Sequence, residues 1–322
     1  MRLKFKITHS LFAFILLISP AVAADSAMSG GNGPEPPWLN GSFFDIGARY
    51  WYSTGQTDFD LYDSTGAILV SRLTYDGLDA HSGEIFFHAQ HASGAFVKGY
   101  GGLGIIPGGS LNDEDFPPVI APYSSTLSTQ DDGDIRYFNT DIGYAFVATN
   151  TETARFELAG FTGYHYWNES VRAFGCTQIA TNPAICVPTI AQSTKVISNE
   201  VQWHSWRVGI LATVEAGNGL KFTGEAAWVP YTQLDNTDNH HLRPLINPLP
   251  SDGDGDGLQL EAVLSYDINE DVSIGAGARY WRLGRTDGHA HFEQTPGGGG
   301  AQVVKFQSER YGGFVQMSVK LR

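Results

Sequence analysis

Apolar and polar side chains alternate along most of this chain. From residue 44 to residue 52 the even positions carry Phe, Ile, Ala, Tyr and Tyr, whereas the odd positions between them carry Asp, Gly, Arg and Trp. A period of two predicts β-strands, because successive side chains of a strand point to opposite faces. Ten segments with this character are predicted: Phe43–Tyr62, Leu69–His88, Ala95–Leu111, Asp134–Val147, Ala154–Phe174, Lys195–Val214, Leu220–Thr232, Leu258–Tyr266, Val272–Phe292 and Val303–Leu321.

The connections between these segments fall into two classes. Short turns alternate with long polar connections, which is typical of an outer-membrane β-barrel and distinguishes it from a soluble sandwich. The short turns are predicted at His91–Gly94, Thr149–Glu152, Glu215–Gly219 and Asp267–Asp271, and the long connections at Gly108–Asp132, Gly175–Lys195, Asn239–Asp256 and Asp287–Gly300. An even number of strands brings both ends of the barrel domain to the short-turn side.

Tyrosines and tryptophans cluster near strand ends, as the interfacial girdle of a membrane barrel requires. The clusters lie at 50–52, 164–167, 203–206 and 280–281. Apart from the N-terminal segment, no apolar run is long enough for a transmembrane helix. The sequence therefore predicts an all-β protein, a ten-stranded antiparallel transmembrane β-barrel with long extracellular loops, formed by residues 39–322 in the outer membrane of a Gram-negative bacterium.

The N-terminal segment predicts export. Residues 1–24 combine three basic residues, an apolar run and a small-residue end, as a cleavable signal peptide does. Residues 25–38 are rich in Gly, Pro and Ser and predict a flexible leader. Cleavage removes three cations and no acids, so the formal charge changes from -14 to -17. Such an acidic protein is not expected to bind nucleic acid.

The chain has two cysteines, Cys176 and Cys186, within one predicted long loop. In an exported protein this spacing predicts a local disulfide that staples the loop. The run Asp252–Gly257 begins like a calcium loop, but Val263 stands where the closing glutamate is needed. A flexible acidic loop is therefore expected there, and no metal site is predicted.

Two acidic motifs lie where long alternating strands are expected to end. In the first, Asp113 and Asp115 are two residues apart, and in the second Asp238 and His240 have the same spacing. Side chains so spaced on extended backbone point the same way. Two such strand ends facing across a cleft would supply a carboxylate pair and a carboxylate-oriented imidazole, which can activate water. Taken singly, each motif also fits a solvated acidic loop.

With these motifs in this order, the chain resembles the omptins, a family of ten-stranded outer-membrane endopeptidases. The resemblance covers nearly the whole predicted mature chain, thinly in the loops. The stretch Gly108–Phe116 resembles the family's paired glycines, D-x-D and aromatic, and Asp238–His240 resembles its D-x-H.

The resemblance implies an aspartic-type endopeptidase at the cell surface. Asp113 and Asp115 would form the acidic couple, and Asp238 and His240 the dyad that activates water. It also implies polypeptide substrates, outer-membrane lipid as a partner, lipopolysaccharide as an activating lipid, and no other cofactor. The sequence specifies no oligomeric state.

The chain departs from the family at the positions that select basic substrates. Phe59 and Asn236 stand where the family has acids, although Asp58, Asp60 and Asp235 lie beside them. Cationic peptides are still expected to be attracted by the overall negative charge. The alternative function is a barrel with little or no proteolysis that acts as a surface binding or structural protein. A passive pore is a third alternative, but ten strands leave an interior mostly filled by side chains.

Overall fold

The computed structural model describes residues 42–116, 121–151, 153–292 and 300–321, without the side chains of 285–287. The predicted signal peptide and leader, residues 1–38, lie outside the described residues. The strands are β1 (Phe43–Tyr62), β2 (Leu69–Asp76), β3 (Ala80–Gln90), β4 (Ala95–Ile106), β5 (Gly109–Asp115), β6 (Ser124–Gln130), β7 (Gly133–Asn150), β8 (Ala154–Gln178), β9 (Ile190–Ala216), β10 (Leu220–His240), β11 (Leu249–Asp267), β12 (Val272–His291) and β13 (Ala301–Leu321). A single 3₁₀ turn is described, at Pro244–Ile246.

The strands form one antiparallel sheet of thirteen that closes on itself. Closure comes from two additional pairings, β1 with β13 and β7 with β8. The pairings complete a cycle in the order β1, β3, β4, β7, β8, β9, β10, β11, β12, β13 and back to β1. The all-β, antiparallel prediction is confirmed.

The remaining strands, β2, β5 and β6, continue the lines of β3, β4 and β7 beyond three breaks. Beyond the breaks, on the side away from the short turns, β1 pairs with β2 instead of β3, and β8 pairs with β6 instead of β7. Gly77 has a φ of 61° at the first break and Asp132 a φ of 59° at the third. Left-handed backbone at these points lets the chain change direction. We call β2, β5 and β6 the upper strands. Their direction therefore differs from that of β3, β4 and β7, which lie nearer the short turns.

The predicted long connections were partly wrong. Residues 108–132 contain β5 and β6, and residues 249–256 of the connection predicted at 239–256 belong to β11. The acidic run Asp252–Gly257, expected as a flexible loop, lies within β11. Extended pairing satisfies the backbone hydrogen-bonding groups of these polar segments, and their composition did not reveal it. Asp113, Asp115, Asp238 and His240 consequently stand on strands.

Two clusters of ion pairs lie in the part of the lumen near the short turns. In one, Arg49 and Arg279 each contact Glu84 at 2.8 Å, and both also contact Glu261. In the other, Arg207 contacts Asp141 at 2.6 Å and Glu225 at 2.6 Å, and Lys98 contacts the same two acids. Because nearly every charge in these clusters has a partner of opposite sign, these charges can be accommodated inside the lumen.

Aromatic and apolar layers lie between these clusters and the long-loop end. Trp167 stacks on Tyr137 with ring centroids 5.1 Å apart and meets Trp281 at 4.5 Å. Above them, Arg310 contacts Glu169 at 2.7 Å. Phe59 and Phe306 then meet edge to face at 5.5 Å. These layers form the floor beneath the upper strands.

The outward face carries large exposed apolar side chains, and the inward face carries the buried ones. The exposed set includes Ile46, Leu103, Ile142, Ile210, Leu264 and Val315. Tyr50, Tyr52, Tyr164 and Trp206 also point outward, as expected of a girdle. Trp51, Trp167, Trp203 and Trp281 do not, because each occupies an inward position of the alternation and is at most 2% exposed. Their assignment to the girdle was wrong.

The disulfide prediction is confirmed. Cys176 and Cys186 are bonded with their Cα atoms 5.7 Å apart, where β8 leads into the connection to β9. The described part of the chain contains no helix that is long and apolar enough to cross a membrane.

Candidate functional site

The first half of the site lies on β5. Leu111, Asp113 and Asp115 occupy its inward positions, and Leu111 is buried. In the pairing of β2 with β5, Asp113 lies opposite Leu73 and Asp115 lies opposite Ser71. The nearby Ser71 side chain acts to lower the pKa of Asp115, although burial outweighs it. The alternation of β5 thus turns both carboxylates of the first motif toward the lumen, as the sequence predicted for a strand.

The second half lies at the end of β10. Asp238 and His240 occupy inward positions, and both are buried. His240 Nδ1 lies 3.3 Å from Asp238 Oδ2. The two atoms are within ion-pair distance but do not have hydrogen-bond geometry, so both remain without a hydrogen-bond partner among the described residues.

The two halves meet across the lumen. Strands β6, β8 and β9 separate β5 from β10 along the sheet. Even so, His240 is close enough to Asp113 and Asp115 for each to affect the charge of the other. The structure therefore brings the four residues singled out in the sequence into one place, at the end of the lumen opposite the short turns.

Burial dominates the electrostatics of the carboxyl groups. It raises the pKa of Asp238 to about 7 and, together with the nearby Asp115, the pKa of Asp113 to about 6. The pKa of Asp115 is also raised, again chiefly by burial. The Asn239 amide close to Asp238 favours ionisation but does not form a hydrogen bond of normal geometry, and burial outweighs it. At pH 7 the Asp238 carboxyl is therefore close to the midpoint of its titration.

Burial lowers the pKa of His240, although the neighbouring Asp113 and Asp115 act in the opposite direction. The imidazole is consequently neutral at pH 7. A neutral imidazole can accept a proton, which a protonated one cannot. The arrangement is suited to general base chemistry.

Two residues that the sequence did not single out also face the site. Tyr75, on the inward face of β2, is 1% exposed, and within the described chain its hydroxyl has no hydrogen-bond partner. Burial, Asp238 and Asp113 together raise its pKa well above the ordinary value. Arg243 lies just beyond β10 and affects the charge of Asp113, Asp115 and Asp238. A tyrosine in an alternating strand carries no signal that could have identified it in advance.

Other histidines near the long-loop end contact residues outside the candidate site. His241, next to the dyad, contacts the Ser198 hydroxyl at 2.9 Å, and His291 contacts Asp252 at 3.1 Å. Over the described ranges, no group of three or more His, Cys, Asp or Glu side chains is arranged to hold a metal ion.

The resemblance places acids at positions 59 and 236, but the residues there, Phe59 and Asn236, carry no charge. Phe59 packs against Phe306, and Asn236 lies on the inner face of β10. Arg172 is paired with Asp132 and Asp134. The Gln202 side chain donates a hydrogen bond to Glu200 at 3.2 Å.

No family model and no curated protein matches this sequence. Among solved structures, the outer membrane protease OmpT from Escherichia coli aligns over 87% of this chain and 97% of its own, with a TM-score of 0.66 and 11% identity. The translocator domain of the autotransporter NalP from Neisseria meningitidis aligns over 96% and 97%, with a TM-score of 0.38 and 12% identity. The likeness to the protease shows an outer-membrane β-barrel fold, and at this identity it shows the fold alone.

Proposed function

We propose that this protein is an outer-membrane surface endopeptidase that hydrolyses peptide bonds with a water molecule activated by His240. The observation that carries the proposal is the convergence of Asp113, Asp115, Asp238 and His240 from two strands that are not neighbours in the sheet. All four point into the lumen, and burial shifts the protonation of each toward the neutral form. Perturbed acids and a neutral imidazole in one cleft are typical of catalytic sites.

The chemistry follows from these positions. Neutral His240 takes a proton from the water while Asp113 and Asp115 hold it, and the hydroxide formed attacks the peptide carbonyl carbon. Asp238, beside the ring, stabilises the imidazolium. The imidazolium then gives its proton to the amine as the carbon–nitrogen bond breaks. No covalent intermediate with the protein is needed.

Tyr75 supplies a donor for the oxyanion of this reaction. Its raised pKa keeps the phenol protonated, and the hydroxyl has no other partner within the described chain. A preorganised donor in a buried site stabilises developing negative charge more than it would in water.

Three observations support a location in the outer membrane. The sheet closes on itself, which removes exposed strand edges. The outward face carries large apolar side chains near the short-turn end, whereas the site lies at the far end of the strands. The OmpT fold likeness agrees with both. We therefore place the site at the cell surface, beyond the membrane-spanning part.

The test is peptide hydrolysis by refolded protein, with and without lipopolysaccharide, because that lipid is the proposed activator. His240→Ala should remove nearly all activity, and Asp113→Asn should lower kcat/KM at least about a hundredfold. His241→Ala is the matched control, since its side chain contacts Ser198 rather than the carboxylate pair. Folded His240→Ala protein with unchanged turnover would exclude the mechanism. A wild-type protein that cleaves nothing would favour the surface-binding alternative.

A further inference from the structure

A second group of unsatisfied polar atoms lies directly below the dyad. Asn236 and Ser251 lie opposite each other on β10 and β11, and each is 4% exposed on the inner face. Within the described chain, Asn236 Nδ2 and Oδ1 and Ser251 Oγ have no hydrogen-bond partner. A buried amide whose oxygen and nitrogen both lack hydrogen-bond partners costs free energy. A ligand that pairs both atoms would recover it.

Three inner-face neighbours of this pair are apolar. Val201 lies opposite Asn236 on β9, Ala290 lies opposite Ser251 on β12, and Leu234 is the next inward residue below Asn236. All three are at most 1% exposed. The acids beside the pair in sequence, Asp235 and Asp252, are exposed and alternate with these inward positions. A charged side chain entering between Asn236 and Ser251 would therefore find no direct counterion on these paired positions.

The position suits a substrate side chain next to the scissile bond. Asn236 precedes Asp238 by two residues, which is about 7 Å along a strand. It lies on the floor side of the dyad, so a substrate side chain pointing into the lumen from the dyad would reach it.

We propose that Asn236 and Ser251 form a subsite that selects an uncharged carboxamide side chain, glutamine or asparagine, beside the cleaved bond. The inference rests on the proposed endopeptidase function. A carboxamide offers donors to Asn236 Oδ1 and Ser251 Oγ and an acceptor to Asn236 Nδ2, so all three atoms are paired. Leucine would leave them unpaired, and lysine would bury a charge that neither Asn236 nor Ser251 can neutralise. Polar sites of this kind discriminate strongly against analogues that lack the polar group.

The test is a set of peptides that differ only at the residue flanking the cleaved bond, carrying Gln, Asn, Leu, Glu or Lys. Wild-type protein should cleave the Gln or Asn peptide with kcat/KM at least about tenfold above Leu and Lys. Asn236→Leu should move the preference to Leu, and the near-isosteric Asn236→Asp should move it to Lys. Ser251→Ala should reduce the carboxamide preference. Asp235→Asn, on the opposite face of the same strand, is the matched control and should leave the ranking unchanged.

The outcomes separate this inference from the proposed function. Cleavage that depends on His240 but ranks all five peptides alike, or a ranking that Asn236→Leu leaves unchanged, would overturn the subsite alone. Absence of His240-dependent cleavage would overturn the function. In that case, binding of the same peptides is measured by tryptophan fluorescence. Carboxamide binding lost in Asn236→Leu would support the subsite, and equal binding of all five would overturn it.

Discussion

At the scale of single residues, several buried polar atoms of the candidate site have no hydrogen-bond partner among the described residues. Around the dyad, Asp238, His240, Tyr75 and Asn236 each have a side-chain atom that no described residue satisfies. Since folded proteins pair most buried polar groups, such atoms at the candidate site are available to a ligand or a reaction.

Removing the Tyr75 hydroxyl tests its role as oxyanion donor. Tyr75→Phe keeps the ring that is buried beneath Asp113 but removes the donor. If the hydroxyl acts in the transition state, kcat should fall about tenfold to a thousandfold with little change in KM. Steady-state peptide hydrolysis measures both. Tyr123→Phe is the control, because Tyr123 is exposed at the same rim. Unchanged kcat in Tyr75→Phe would remove Tyr75 from the mechanism.

The raised pKa of Asp238 predicts a pH dependence of stability. The folded protein holds this proton more tightly than the unfolded chain, because the pKa rises from 3.8 to about 7. The stability from this group is therefore fully present below about pH 4 and is lost as the pH rises toward 7. His240, with a lowered pKa, contributes in the opposite sense, since its stability is lost as the pH falls.

Comparing two variants isolates the Asp238 contribution. From pH 5 to pH 8, the free energy of unfolding of wild type should fall relative to that of Asp238→Asn by a few kcal/mol. Each tenfold change in proton affinity is worth about 1.4 kcal/mol. Urea unfolding in detergent at the two pH values measures the difference. Asp235→Asn should follow the wild type, since Asp235 is exposed. If the free energies of unfolding of Asp238→Asn and wild type changed equally between the two pH values, burial would not determine the pKa of this carboxyl.

At the scale of strands, inward aromatic rings lie over glycines of the adjacent strand. Phe161 on β8 lies opposite Gly209 on β9. A Cβ at Gly209 would stand 2.5 Å from the Phe161 ring and 2.5 Å from the Ala226 carbonyl oxygen. Because one of those contacts is backbone, the strand itself would have to move. Glycine at this position allows the ring to fill the lumen without spreading the sheet.

A pair of glycine substitutions tests this packing. Gly209→Val should cost at least about 1–3 kcal/mol through overpacking, and the fraction of protein that refolds should fall. Gly83→Val is the control, because an added Cβ there would meet no atom within 4 Å. The heat-dependent shift in gel migration reports the folded fraction of each. Equal refolding of the two variants would show that the contact at Gly209 is relaxed easily.

At the scale of the whole molecule, the lumen is divided into layers. Ion-pair clusters occupy the short-turn half, aromatic rings lie above them, and the site lies above the rings. A cavity of about 700 Å³ opens among Lys98, Glu157, Lys221 and Lys320 near the short turns. The aromatic layer, with ring centroids as close as 4.5 Å, lies between that cavity and the site. This organisation favours a surface enzyme over a passive pore.

Two measurements test the whole-molecule prediction. The protein should fractionate with outer membrane, and its migration in gels should change on heating, as folded membrane barrels behave. Inserted into planar bilayers, it should show no steady conductance, because side chains fill the lumen. Recovery as a soluble periplasmic monomer would contradict the proposed location. A stable open conductance would contradict the closed lumen.

The sequence by itself predicted most of the strand segments, the alternation of their faces and the four residues proposed for the dyad and the carboxylate pair. The reason is local: a period of two and an i, i+2 spacing specify which side chains share a face. It also identified the disulfide, because two cysteines ten residues apart in one connection have only each other.

Only the tertiary structure decided how these faces meet. The lengths of β5, β6 and β11 depend on pairing with distant strands, so polar segments that read as loops are extended. The approach of β5 to β10 depends on closure of the whole sheet, and the burial of Tyr75, Asn236 and Ser251 depends on what faces them across it. These contacts join residues far apart in the chain, and no local pattern records them.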